Sequence, residues 1–173
     1  MTIDIKDASN NVTEMYNQLK PIVDSVVAKN AKNIDDIIKK IRKDLSSLTN
    51  SDLQNYMLQL SIETYYFSQI KDMSALKQEC ALALLNESKA DVYNSSEGTQ
   101  GYRSNQAIIQ TLDKQAVNLL YTAVSSNMKS KLDEAHRMVN ILSNVLISKN
   151  AEAKLKGVRD DLHNYDDSED RNG

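Results

Sequence analysis

Apolar residues recur every three or four positions along most of this chain, the spacing that lines one face of an α-helix. Between residues 8 and 28 the line runs through Val12, Met15, Tyr16, Leu19, Val23, Val26 and Val27. It predicts a first helix, kinked or split at Pro21, because proline has no amide hydrogen to donate. Asn33 then stands as an N-cap for a second helix carrying Ile34, Ile37, Ile38, Ile41, Leu45 and Leu48. Asp35 and Asp36 open that helix and Lys39, Lys40, Arg42 and Lys43 close it, the order the helix dipole favours. Residues 1–48 are thus read as two shorter helices.

Thr49-Asn50-Ser51-Asp52 supplies several capping side chains, and the next run reaches Tyr93 without a breaker. Its apolar line is Leu53, Met57, Leu60, Thr64, Phe67, Ile70, Met73, Leu76, Cys80, then Ala83 or Leu84, and Glu87. At 1.5 Å per residue such a helix is roughly 60 Å long. Residues 94–103, with Gly98 and Gly101, read as a polar loop. A second long run follows to about Lys156 through Ile108, Leu112, Ala116, Leu119, Leu120, Val124, Met128, Leu132, Ala135, Val139, Leu142 and Leu146. Two long helices across a short loop make an antiparallel hairpin over 51–156. A hairpin alone leaves part of its stripe uncovered. The N-terminal helices are expected to pack near one end and a second subunit to cover the rest, giving a homo-oligomer of coiled-coil character.

Composition sharpens this picture. Among 173 residues there are 4 glycines and 1 proline, far below the usual ~7% and ~5%, and too few for the turns of a sandwich, barrel or doubly wound sheet. The expected fold is all-α, with residues 1–156 as one helical domain. After Gly157 the tail 157–173 sets Asp160, Asp161, Asp166, Asp167, Glu169 and Asp170 against Arg159 and Arg171, a net charge of −4 within a total of −3. A short acidic segment with few apolar residues is expected to stay flexible. It is read either as a flap over basic residues or as a tether to a basic partner. The single cysteine, Cys80, cannot form an internal disulfide and fits a reducing cytoplasm. No signal-peptide pattern and no apolar run near ~20 residues is found, so no membrane attachment is expected.

Catalytic signatures are missing. Cys80 lies on the apolar line of its helix and reads as a small core residue, not as a nucleophile served by His136. His136 and His163 stand 27 positions apart, with no metal-binding spacing around either. No phosphate loop, dinucleotide fingerprint or nucleophile elbow occurs. The chain is expected to be no enzyme and to need no cofactor or metal.

Binding signals are more concrete. Residues 29–43 hold Lys29, Lys32, Lys39, Lys40, Arg42 and Lys43 against Asp35 and Asp36, a local net of +4. Such a patch can neutralise phosphates, or can simply be the solvated face of a helix. At the hairpin loop, Tyr93, Tyr102 and Arg103 can stack on bases or on a partner, or the tyrosines can cap the core. Tyr65, Tyr66 and Phe67 are consecutive and cannot all face one way on a helix. This trio is read as a partner interface.

Residues 53–66 and 77–93, the Gly-containing loop, Asp113-Lys114, and the run through Leu132-Asp133 to Lys149 carry a resemblance in helix order and sparse identities. Over about 100 residues the chain resembles small helical accessory proteins of bacteriophages, especially recombination mediators of the UvsY type. The resemblance implies an oligomer that binds single-stranded DNA and helps load a recombinase onto DNA covered by single-strand-binding protein. Of that family's basic segment before the loop, Lys89 is the position that matches here. The expected function is therefore a phage or mobile-element accessory protein that binds single-stranded nucleic acid, recombination proteins or both. Two alternatives stand beside it: a steric inhibitor of a host-defence protein, of the anti-CRISPR kind, and a helical scaffold.

Overall fold

The computed structural model describes the backbone of residues 5–169 and the side chains of residues 13–159. Four helices account for it: α1 (Ile5–Asp44), α2 (Asn50–Ser95), α3 (Gln100–Ile109) and α4 (Leu112–Glu169). No strand occurs among the described residues, so the fold is all-α. Among the described residues, no helix is long and apolar enough to cross a membrane.

The N-terminal segment is one helix, not two. Pro21 and Asn33 both lie inside α1. The reason is the unbroken phase of its apolar line: Val23, Val27, Ala31, Ile34, Ile38 and Ile41 are all buried, at spacings of four, four, three, four and three. Burying a Val or Ile is worth about 1.5–3 kcal/mol each, and together they outweigh the ~3 kcal/mol of an interior proline. The capping preference of Asn33 is overridden in the same way.

The turn between α1 and α2 closes on a capping box. The Thr49 hydroxyl accepts from the Asp52 amide at 3.2 Å, and the Asp52 carboxylate accepts from the Thr49 amide at 2.9 Å and from its hydroxyl at 2.6 Å. At the hairpin loop Gly98 has φ +115°, a region that side chains disfavour, and a Cβ there would lie 3.2 Å from the Tyr102 ring. Thr99 caps α3, accepting from the Tyr102 amide.

The second arm of the hairpin is broken at Gln110–Thr111, where a continuous helix is expected from the sequence. Thr111 is buried, and its hydroxyl donates to the Ala107 carbonyl at 2.7 Å. The Gln115 side-chain amide donates to the Ile108 carbonyl at 3.1 Å. The Thr111 hydroxyl thus serves the Ala107 carbonyl where the backbone ladder stops, and the Gln115 amide adds to the Ile108 carbonyl, which also accepts from the Thr111 amide at 3.4 Å. Gly157, read from the sequence as a break, lies inside α4. The side chains of the acidic tail from 160 onward lie outside the described residues.

The chain divides into two compact units. Unit 1 comprises Met1–Asn33 and Tyr65–Asp133, and unit 2 comprises Ile34–Thr64 and Glu134–Gly173. The core of unit 2 is mainly aliphatic: Ile34, Ile37, Ile38, Ile41, Leu48, Leu53, Leu60, Ala135, Met138 and Leu142, with the buried Thr64 among them. Its polar contacts tie α4 to the α1–α2 turn. Arg42 pairs with Glu134 at 2.8 Å, Asn50 donates to Asn150 at 2.8 Å, and the Lys149 ammonium donates to the Leu48 carbonyl. Unit 1 buries Val23, Val27, Phe67, Leu85, Val124 and Met128, interleaved with the small or polar Ala31, Ser74, Ala81, Ala107 and Thr111.

Candidate binding surfaces

The six basic residues grouped by sequence are divided by the fold. Lys29 and Lys32 belong to unit 1, and Lys39, Lys40, Arg42 and Lys43 to unit 2. All six are exposed. The Arg42 guanidinium is committed to Glu134, which leaves Lys39, Lys40 and Lys43 as a ridge along the last two turns of α1. Lys39 and Lys43, four apart, project opposite the buried line of Ile34, Ile38 and Ile41. None of the three has an ion-pair partner among the described residues.

At the loop, Arg103 is part of the fold and not a free contact. Its guanidinium lies 4.1 Å above the Tyr93 ring, and its Nε donates to the Tyr93 carbonyl at 2.7 Å. It clasps the end of α2 to α3 across the loop. Tyr102 is exposed beside it. Lys89, half-buried on α2, lies one residue after Ser88, whose hydroxyl accepts from the Lys114 ammonium.

The aromatic trio separates. Tyr65 and Tyr66 are exposed and meet edge to face, their centroids 5.6 Å apart. Phe67 is 2% exposed and is a core residue of unit 1, which removes it from any partner interface.

A larger correction concerns α2 beyond Phe67. The buried line continues to Ser74, Ala81 and Leu85. Ile70, Met73, Leu76 and Cys80, expected on that line, are exposed. The helix carries two apolar lines a half-turn or so apart, and neighbouring helices cover the less apolar one. On the second arm the expected core residues Ile108, Leu112 and Leu119 are likewise exposed, whereas Val124, Met128, Ala135 and Leu142 are buried as expected. Sequence reasoning therefore found the line through Met73, Leu76 and Cys80 but placed it in the core, and it missed the buried line through Ser74, Ala81 and Leu85, whose small and polar members give a weaker apolar signal. Adjoining that line, unit 1 holds an open apolar groove of about 440 Å³ among Ile22, Val26, Ile70, Met73, Leu120 and Val124.

Electrostatics within these surfaces are mild. The hydrogen bonds from the Thr49 hydroxyl and amide hold the Asp52 carboxyl below its ordinary value of 3.8, with Lys149 adding to the effect. The Asp24 carboxylate raises Lys20 in an exposed pair one turn apart. His136 is exposed on α4, and no group of three or more potential metal-ligating side chains occurs among the described residues. Two surfaces stand out among the described residues: a cationic ridge on unit 2 and an apolar face on unit 1. Compared with known proteins, the chain matches no family model, no curated protein and no solved structure.

Proposed function

We propose that this chain is a non-enzymatic helical accessory protein that binds single-stranded nucleic acid and works beside partner proteins in the cytoplasm. A phage or mobile-element recombination step is the setting that its resemblance to UvsY-type mediators suggests. The observation that carries the reading is the ridge of Lys39, Lys40 and Lys43, three exposed ammonium groups within two turns and unpaired among the described residues. Phosphate neutralisation releases condensed counterions, so affinity on such a ridge falls steeply with salt, with a slope of about −0.7 per phosphate contact for single strands.

The test is fluorescence anisotropy of a labelled oligothymidylate, titrated with the protein across a salt series. Replacing Lys39, Lys40 and Lys43 together by Gln is expected to reduce the log–log salt slope by about 2 and to weaken binding most at low salt. Unchanged affinity and slope would overturn the reading. A second reading, a protein-directed blocker or scaffold, is favoured by the apolar surface of unit 1, where Tyr65, Tyr66, Met73, Leu76, Ile108 and Ile109 are exposed. It predicts no salt-dependent binding of the oligonucleotide and a stable complex with a protein partner.

A further inference from the structure

The outward line of α2 in unit 1 has the form of a coiled-coil seam. Tyr66, Gln69, Met73, Leu76, Cys80 and Ala83 follow spacings of three, four, three, four and three, the alternation of a heptad repeat. All six are exposed. They lie opposite the line of Phe67, Ser74, Ala81 and Leu85 that faces the core of unit 1. Tyr65, Ile70 and Leu84 extend the apolar surface on the flanks. At their exposures Tyr65, Tyr66, Ile70, Met73, Leu76 and Leu84 leave on the order of 700 Å² open, close to the ~800 Å² that each partner gives to a standard-size interface.

We infer that this seam is covered by the same seam of a second copy of the chain, packed in parallel. The flanking positions decide both occupant and direction. In the heptad Tyr66, Met73 and Cys80 take position a, and Gln69, Leu76 and Ala83 take position d. Asp72 and Glu79 then fall at g, and Ile70, Lys77 and Leu84 at e. In a parallel pair, position g of one helix meets position e of the next heptad on the other. Asp72, which pairs with the adjacent Lys71 at 2.7 Å within one chain, then meets Lys77 of the second copy on both sides of the two-fold axis, Tyr65 meets Ile70, and Glu79 meets Leu84. In an antiparallel pair g meets g, which sets Asp72 against Asp72 or Glu79, a like-charge contact. The Asp72–Lys77 pair is complementary to itself in the parallel arrangement and has no counterpart in the antiparallel one. Gln69 at d supplies the polar layer that fixes register. This inference is independent of the nucleic-acid reading, since it uses other residues and its test contains no nucleic acid.

In a parallel seam, Cys80 at position a stands across from Cys80 of the second copy, so the single cysteine reports the arrangement. Light scattering after size exclusion should give twice the 19.5 kDa of the chain. Diamide, which accepts the two hydrogens that two thiols give up on forming a disulfide, should then yield a covalent dimer. That band should disappear on reduction and should not form with Cys80→Ser, which leaves the scattering mass at the dimer value. Met73→Glu with Leu76→Glu, at exposed positions and with helicity checked by circular dichroism, should give monomer and no covalent dimer. A monomeric wild type would overturn the inference. So would a dimer that diamide leaves uncoupled, or one that survives the paired glutamates.

Discussion

Phe67 and its neighbours Tyr65 and Tyr66 differ little in chemistry and entirely in role. Phe67 is enclosed in unit 1, so Phe67→Ala should cost about 3–5 kcal/mol, the price of an aromatic ring removed from a packed site. Tyr65→Ala, at 64% exposure, should change the stability of the monomer by about 0.5 kcal/mol or less in urea titration. The capping box at Thr49 and Asp52 makes a second prediction. Asp52 has its pKa lowered on folding, so its contribution is complete above its ordinary value of 3.8 and is lost as pH falls through the lower folded value. Asp52→Asn should therefore be less stable than the wild type at neutral pH, and the two should converge in acid below that range. Parallel pH-stability curves would show that the carboxylate does not act as a cap.

Each helix records a contest between local preference and burial. Pro21 sits in the interior of α1 and leaves the Asn17 carbonyl without its intrahelical donor. Pro21→Ala should raise stability by about 2–3 kcal/mol and increase helicity, read by chemical denaturation and circular dichroism. Unchanged stability would mean that the helix does not run through this position as a single element. Much of the architecture was legible from sequence because the signals involved are local. Sparse Gly and Pro together with three–four spacing gave the helices, Thr49 and Asp52 their cap, and Gly98 the loop. The N-terminal pair merged because its stripe never loses phase. The split at Thr111 was not legible, because it depends on side chains of Thr111 and Gln115 returning to carbonyls of the preceding turn.

The two units differ in the quality of their interiors. Unit 2 encloses mainly isoleucines and leucines, with Thr64 and Ala135 among them, whereas unit 1 interleaves Phe67, Leu85, Val124 and Met128 with the smaller Ala31, Ser74, Ala81, Ala107 and Thr111. Hydrogen exchange in a monomeric form such as Met73→Glu with Leu76→Glu should therefore be slower across residues 34–60 than across residues 70–90, because opening free energy follows buried apolar contact. Equal protection would show that unit 1 draws stability from something other than its own core. The candidate surfaces were legible in part. The basic segment could be read from residue type, but the separation of Phe67 from Tyr65 and Tyr66 and the commitments of Arg42 to Glu134 and Arg103 to Tyr93 could not, since all depend on positions brought together by folding.

What the sequence determined by itself is everything that depends on neighbours within about one helical turn: an all-α chain, its capped turn, its loop and the charge of its segments. The tertiary structure decided the phase. On α2 two apolar lines compete, and a helix in isolation has no means of choosing between them. Packing of neighbouring helices covers Phe67, Ser74, Ala81 and Leu85 and turns Met73, Leu76 and Cys80 outward. Which line is core and which is surface is a property of what a helix packs against, and that is set by residues distant in the chain.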